Sequence, residues 1–143
     1  MKTSISVSHL DKMAFESEIN GHKIVLDADE KVGGEDRGPR PKPLMLLALG
    51  GCTGMDVVSI LKKMRVEFTD LNIRVEANLT DEHPRHYDKA HLIYEFSGDK
   101  IHEEKLKKAV SLSQERYCGV SFLYSKVIDL SYEIQVNGKK LEL

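Results

Sequence analysis

The chain has 143 residues, of which 41% are hydrophobic and 31% are charged. This length predicts a single domain over residues 1–143, and the composition excludes disordered, fibrous and low-complexity proteins. The 21 basic and 23 acidic residues give a formal net charge of −2, which provides no electrostatic footprint for DNA or RNA. We therefore expect no nucleic-acid partner.

Export and membrane signals are the next features to consider. The N-terminal segment alternates small polar and apolar residues and lacks the continuous apolar region of a secretory signal. The apolar stretch from Leu44 to Cys52 is far shorter than the roughly 20 residues that cross a bilayer. Both features predict a cytoplasmic protein without a membrane partner. In a reducing cytosol, Cys52 and Cys118 are expected to be free thiols or redox-active residues.

The first predicted element is a three-stranded antiparallel meander over residues 3–27. Ile5 and Val7 alternate with serines, and Asn20-Gly21 separates two extended runs. Asn-Gly is the strongest short hairpin signal because both residues tolerate positive φ. Residues 27–43 are rich in Gly and Pro, which predicts a long ordered loop without regular structure.

An apolar helix is predicted from Leu44 to Arg65. Its first two turns are apolar on all sides, so they must be covered on every side. Either a second layer or a partner subunit would cover them, and we favour the partner subunit. Gly50 and Gly51 weaken such a helix by roughly 1 kcal/mol each relative to Ala. Their presence predicts that a substrate, a facing element or another chain approaches this backbone closely.

The second half of the chain predicts alternating strands and helices. The expected elements are strands at 71–79 and 87–96, a helix at 102–116, and a last strand at 130–136 before an Asn137-Gly138 turn. Gly119 is expected to stop the helix and leave Cys118 at its end. Residues 120–125 alternate with period two, but six residues are too few to distinguish a strand from a short helix.

The spacing of candidate ligands gives no support for a metal, phosphate or serine-nucleophile site. No C-x-x-C or H-E-x-x-H motif is present, and no histidine lies within four residues of either cysteine. A nucleophile elbow, a Walker loop and a dinucleotide fingerprint are also absent. We therefore expect no metal ion and no cofactor.

The two thiols, 66 residues apart, are the remaining candidates for chemistry. Cys52 is either reactive or packed as a small hydrophobic residue. Cys118 lies at a break where a helix N-terminus would favour its thiolate. Asp56, one turn after Cys52, would support the structure or raise the pKa of the thiol. Arg37 and Arg40, in the preceding loop, are candidates to stabilise a thiolate near the substrate.

Two stretches resemble the cysteine motifs of the OsmC/Ohr superfamily. The first is GPRPKPLMLLALGGCTGMDVVSILKKM, in which a Gly-Pro-x-Pro loop runs into a helix with Gly-Gly-Cys-Thr-Gly. The second is SQERYCGVSFLYSKVIDLSYEI, in which Cys-x-Val-Ser opens a short helix before the final strand. The order of the elements also fits, so the resemblance covers nearly the whole chain and is greatest to the branch with Gly-Gly-Cys.

The resemblance implies an α+β fold with antiparallel sheets around two central helices, in an intertwined homodimer with active sites at its interface. It also implies a thiol peroxidase, in which Cys52 becomes a sulfenic acid that Cys118 resolves as a disulfide. An external dithiol, often a lipoyl-bearing protein in this family, then restores both thiols. Because Leu, Met and Val line the helix around Cys52, we expect the small-molecule substrate to be an organic hydroperoxide.

One position departs from the family pattern. Family members usually carry Glu just after the second proline of the loop motif, where it holds an arginine over the reactive thiol, whereas this chain has Lys42 and Pro43 there. Arg37 and Arg40 lie in the segment that supplies the family's arginine. The alternative function is a non-catalytic dimer of the same fold that binds a small apolar or electrophilic ligand or senses redox state.

Overall fold

Strands and helices follow one another in an α+β arrangement, described for residues 1–143 by a computed structural model. The chain groups into two compact units, Met1–Met45 and Leu46–Leu143. The α+β class expected from the sequence is confirmed.

The N-terminal unit contains a three-stranded antiparallel sheet. Its strands are β1 (Ser8–His9), β2 (Phe15–Ile19) and β3 (His22–Leu26), in that order across the sheet. Asn20 and Gly21 have φ values of 53° and 80°, so they form the left-handed turn that the sequence predicted. The meander is therefore confirmed, although β1 is shorter than expected and Ile5 and Val7 lie outside it.

The loop after β3 is organised by the buried carboxylate of Asp27. Its oxygens accept hydrogen bonds from the backbone N–H groups of Ala28, Glu35 and Arg37 and from Nε of Arg37. Burial opposes the charged form, but these hydrogen bonds outweigh it and lower the pKa of Asp27 to about 2. The expectation of no regular structure was wrong for Glu30–Val32, which forms a single 3-10 turn after the Asp29 cap.

Helix α1 (Pro41–Lys63) begins three residues earlier than predicted. Pro41 and Pro43 fit its first turn because the N–H groups there have no partner within the helix. The helix is long and apolar enough to cross a membrane by these two criteria alone, which the core helix of a soluble protein also meets. The apolar stretch of this helix is therefore longer than the segment from residue 44 to residue 52 that the sequence indicated.

The C-terminal unit contains a four-stranded sheet. Its strands, in spatial order, are β4 (Asp70–Leu79), β5 (Tyr87–Ser97), β6 (Asp129–Val136) and β7 (Lys139–Lys140). The β4/β5 and β6/β7 pairs are antiparallel, as expected, but β5 and β6 are parallel. A parallel pair needs a long crossover connection, which the chain between β5 and β6 supplies.

That crossover consists of three consecutive helical pieces. They are α2 (Glu103–Leu112), a π-helical segment (Ser113–Tyr117) and α3 (Gly119–Tyr124). The helix predicted at 102–116 is present, with a π-helical last turn that the pattern did not reveal. The role given to Gly119 was wrong, because it opens α3 and the break lies at Cys118. The short helix implied by the family resemblance is confirmed.

The core of the C-terminal unit combines residues of α1, α2, β5 and β6. α1 contributes a stripe at intervals of four residues, as one face of a helix requires: Leu49, Thr53, Val57 and Leu61. The opposite side of α1 is bare, with Leu47 68% exposed and Met55 77% exposed. The predicted uncovered apolar face is therefore present in the single chain.

Candidate active site

The fold brings the two cysteines together. The sulfur atoms of Cys52 and Cys118 and a carboxylate oxygen of Asp56 all lie within 4.8 Å of one another. Both cysteines are free thiols. Cys52 lies in the middle of α1 and is half-buried, whereas Cys118 is only 2% exposed. Residues that are 66 positions apart in sequence thus form one cluster.

Cys118 is held at the junction between the π-helical segment and α3. Its backbone is extended, with φ −74° and ψ 101°, which breaks the helix at this residue. Its N–H donates to the carbonyl oxygen of Ser113 at 2.8 Å. Its sulfur accepts a hydrogen bond from the N–H of Ser121 at 3.3 Å, as an N-cap side chain does. The predicted placement of Cys118 at a helix N-terminus is confirmed.

The environment of Cys52 favours the protonated thiol. Burial raises the pKa of Cys52, and its hydrogen bond with Cys118 raises it further. The charges of Cys118 and Asp56 act in the same direction, while a hydrogen bond from the Val120 N–H lowers the pKa. The net effect is a raised pKa, so Cys52 is mostly protonated at neutral pH.

Behind this cluster lies a chain of buried polar side chains. Thr53, Tyr94 and Ser113 are fully buried. The oxygen atoms of Thr53 and Tyr94 are 2.7 Å apart, and those of Thr53 and Ser113 are also 2.7 Å apart. Gln114 Nε2 donates to Tyr94 at 2.7 Å and to Thr53 at 3.3 Å. Ser113 Oγ donates to Asp56 Oδ2 at 3.1 Å.

The donor-to-acceptor direction of these hydrogen bonds follows from the last acceptor in the series, Asp56. Ser113 donates its single hydroxyl hydrogen to the Asp56 carboxylate. Ser113 must then accept from Thr53, and Thr53 from Tyr94. Burial raises the pKa of Tyr94 to about 12, so its hydroxyl keeps the hydrogen that it donates. The hydroxyl dipoles therefore all point toward Asp56.

Sequence reasoning missed this hydrogen-bonded chain. Thr53 occupies a position in the buried stripe of α1, and Ser113 continues the apolar face of α2. A polar residue within an apolar stripe needs a buried partner. The sequence therefore indicated that Thr53 and Ser113 need buried partners, but it did not identify Tyr94 on β5 as one of them.

One buried hydroxyl beside the thiols has no partner. Ser121 is 2% exposed and its Oγ makes no hydrogen bond, although its N–H binds Cys118. Buried polar groups in proteins are nearly always satisfied, and a bound molecule is one way to satisfy them. Ser121 is therefore a candidate contact for a ligand of the cluster.

The two candidate arginines bind carboxylates of the N-terminal unit. Arg37 pairs with Asp11 and, through Nε, with Asp27 at 3.1 Å. Arg40 pairs with Asp36 and donates to Asp29 at 3.4 Å and to the Gly38 carbonyl oxygen at 3.1 Å. Action of either arginine on the substrate stays a prediction. Lys42 and Pro43 lie in the first turn of α1.

The glycines of α1 face two different surroundings. A Cβ at Gly50 would lie 3.2 Å from Val75 of β4, which agrees with the expected close approach. A Cβ at Gly51 would meet nothing within 4 Å, so no element of this chain explains that glycine. Gly51 instead lines an open groove of about 890 Å³ between α1 and β4, which we call the α1–β4 groove. Its other apolar lining residues include Leu47, Met55, Phe68, Leu71 and Ile73.

Comparison with known proteins decides the family. The family model described as OsmC-like protein matches residues 33–133, a range that contains both cysteines. This chain is an OsmC-like protein. The resemblance seen in the two cysteine motifs is thereby confirmed.

Relatives of this OsmC-like protein include Protein YhfA of Escherichia coli K12, which is 31% identical over 117 residues. That match covers 82% of this chain and 84% of YhfA. A hypothetical protein from Aquifex aeolicus VF5 has a TM-score of 0.81 at 30% identity, covering 96% of this chain and 99% of that chain. An organic hydroperoxide resistance protein OsmC from Legionella pneumophila has a TM-score of 0.66 at 14% identity, with coverage of 94% and 98%, and shares the fold.

Proposed function

We propose that this OsmC-like protein is a cysteine-dependent peroxide reductase that prefers organic hydroperoxides. The observation that carries the proposal is the approach of the two sulfur atoms to within 4.8 Å of each other. Several structural neighbours are named as organic hydroperoxide resistance proteins, which supports a peroxide-related redox role. The α1–β4 groove lies along the helix that carries Cys52, although Cys52 is not among its lining residues, and its apolar lining supports a substrate with an apolar tail.

In the first step, the thiolate of Cys52 attacks the distal oxygen of the hydroperoxide. The O–O bond breaks, the sulfur becomes a sulfenic acid, and the leaving alkoxide takes a proton to become an alcohol. In the second step, Cys118 attacks the sulfenic sulfur, forming the disulfide and releasing water. A dithiol, with a lipoyl protein as candidate, then reduces the disulfide by exchange and is itself oxidised.

The accessibility of the two cysteines supports the proposed roles. Cys52 is half-buried, so a peroxide can reach it, whereas Cys118 is 2% exposed and suited to attack a neighbouring sulfur. We retain Arg37 and Arg40 as candidates for the positive charge that such chemistry needs beside the peroxide. The family Glu is replaced here, so a slow reaction at neutral pH is expected.

We further propose that the protein is a cytoplasmic homodimer in which a second copy covers the bare side of α1. The exposed Leu47 and Met55 support this arrangement, because large apolar side chains on one helix face favour an interaction partner. The size of the α1–β4 groove also supports the alternative function, in which the dimer binds a small apolar ligand without turnover.

The test compares single-cysteine variants after one equivalent of cumene hydroperoxide, with hydrogen peroxide in parallel. Wild-type protein is expected to lose both thiols to a Cys52–Cys118 disulfide, faster with the organic peroxide. Cys52→Ser is expected to abolish turnover. Cys118→Ser is expected to retain one added oxygen atom on Cys52, detected by intact mass and trapped with dimedone. Lys63→Cys in the Cys52→Ser background provides an exposed thiol on the same helix, outside the α1–β4 groove, as a control, and it should not restore turnover.

Equal loss of activity without a trapped sulfenic acid in Cys118→Ser would overturn the assigned roles. Two unreacted thiols in wild-type protein after long exposure would overturn the peroxidase proposal and favour the ligand-binding alternative.

A further inference from the structure

The cluster beside α1 contains two thiols and one carboxylate, all within 4.8 Å of one another. We propose that Cys52, Asp56 and Cys118 together bind one thiophilic divalent cation of the Zn²⁺ class when both thiols are reduced. The sequence argued against a metal because motif searches compare neighbours along the chain, whereas these ligands come from α1 and from the start of α3.

The spacing of the three atoms suits tetrahedral coordination. Zn–S bonds of about 2.3 Å place two sulfur ligands about 3.7 Å apart around one ion. The ligand atoms, within 4.8 Å of one another, would have to approach by at most about 1.3 Å, a distance that small side-chain rotations provide. Three protein ligands leave the fourth position to water, as in zinc sites that remain open to a small molecule.

The surrounding groups fit a bound cation. Metal-binding carboxylates are usually oriented by a further hydrogen bond, and Ser113 Oγ donates to one oxygen of Asp56 at 3.1 Å. The unpartnered Ser121 hydroxyl, in the residue whose N–H binds the Cys118 sulfur, offers a partner for a metal-bound water.

Binding is a proton exchange without electron transfer. The cation replaces the hydrogens of both thiols, so two protons leave for each ion bound, and both sulfurs become thiolate ligands. Formation of a Cys52–Cys118 disulfide would remove both sulfur ligands and release the ion. The cation and a peroxide would therefore compete for Cys52. That competition rests on the proposed function, whereas cation binding does not.

The test is a titration of reduced, chelator-stripped protein with Cd²⁺, which reports thiolate ligation through an ultraviolet charge-transfer band. Wild-type protein is expected to bind one Cd²⁺ per chain, release two protons, and lose the ion only to a large excess of Zn²⁺. Cys52→Ser and Cys118→Ser should each remove about half of the band. Asp56→Asn should weaken binding at least about tenfold while leaving the band intact. Asp88→Asn, at an exposed position of β5, is the matched control and should bind as wild type does.

Several results would overturn the proposal. Histidine or carboxylate sites on the surface bind cations without a thiolate band, so binding without the band would refute the assignment. Retained binding by the disulfide form, or wild-type affinity in Asp56→Asn, would do the same. Free thiols are counted and folding is checked by circular dichroism in each variant. Peroxide consumption by the metal-free protein is measured separately, so that failure of the peroxidase proposal can be distinguished from failure of the cation proposal.

Discussion

The surroundings of Cys52 disfavour the thiolate form of its side chain. Burial, the hydrogen bond with Cys118 and the negative charge of Asp56 all raise its pKa, and the Val120 N–H only partly offsets them. Nucleophilic attack requires the thiolate. The reaction proposed for Cys52 is therefore limited, at neutral pH, by the fraction of thiolate that these neighbours allow.

The first prediction concerns the pH dependence of Cys52 in metal-free reduced protein. Because the pKa is raised, the alkylation rate should increase by about tenfold per pH unit between about pH 6 and pH 8, without a plateau. Asp56→Asn removes one of the charges that raise the pKa, so its rate should exceed that of the Cys118→Ser parent by a few-fold in this range. The rates are measured by mass spectrometry with iodoacetamide, in a Cys118→Ser background so that one thiol reacts.

A plateau below pH 7 in the parent protein would show that the pKa is lowered, and the proposed environment of Cys52 would be wrong. An unchanged profile in Asp56→Asn would mean that the carboxylate does not act on the thiol.

At the scale of elements, the buried hydroxyl of Thr53 joins three pieces of structure. It contacts Tyr94 on β5 and both Ser113 and Gln114 of the π-helical segment. The π-helical segment in turn places Cys118 opposite Cys52. Hydrogen bonds buried together in a region of low dielectric strengthen one another, so this junction is expected to be stiff.

The second prediction tests that junction with Thr53→Val, a change that preserves shape and removes the hydroxyl. The variant leaves Tyr94 and Ser113 with unsatisfied buried groups, which should lower the free energy of unfolding by about 1–3 kcal/mol. Urea denaturation followed by circular dichroism measures the difference. Ser59→Ala, at an exposed position of the same helix, should change stability by less than about 0.5 kcal/mol. Equal stability of the two variants would contradict the network.

Sequence patterns predicted the periodic elements well and the junctions poorly. β4 alternates cleanly between half-buried and exposed residues, and the Asn20-Gly21 turn has a strong local signature, so both were predictable. The π-helical segment and the parallel partner of β5 depend on contacts between distant residues, which no local pattern contains. Gly119 was misjudged because glycine both ends helices and opens them, and the neighbouring cap decided the outcome.

At the scale of the whole molecule, the site also depends on contacts between distant residues, which local sequence patterns do not contain. The sequence indicated Cys52 and Cys118 separately, but their approach is a product of the crossover between β5 and β6. It also predicted one apolar helix with an uncovered side, and the exposed Leu47 and Met55 show that side. What covers it, and whether residues 1–143 act as a single domain, stay predictions.

The third prediction addresses what covers α1. Leu47→Glu or Met55→Glu places a charge on the bare side of the helix, where burial against a second copy would be costly. Each should convert the proposed homodimer to monomer, or weaken it at least about tenfold, in size-exclusion chromatography with light scattering. Lys139→Glu, on β7 at the sheet edge opposite β4, should remain dimeric. A wild-type monomer at all concentrations would contradict the proposed assembly.

The crossover that carries Cys118 also determines what oxidation would do to the chain. A bond between the two cysteines would enclose β4, β5 and α2 in a covalent loop of about 66 residues, since the thiols flank these elements in sequence. Loops of this length restrict an unfolded chain by about 4 kcal/mol in the entropic account of crosslinks. In the proposed reaction cycle, the oxidised form would then be the form that resists unfolding and proteolysis best.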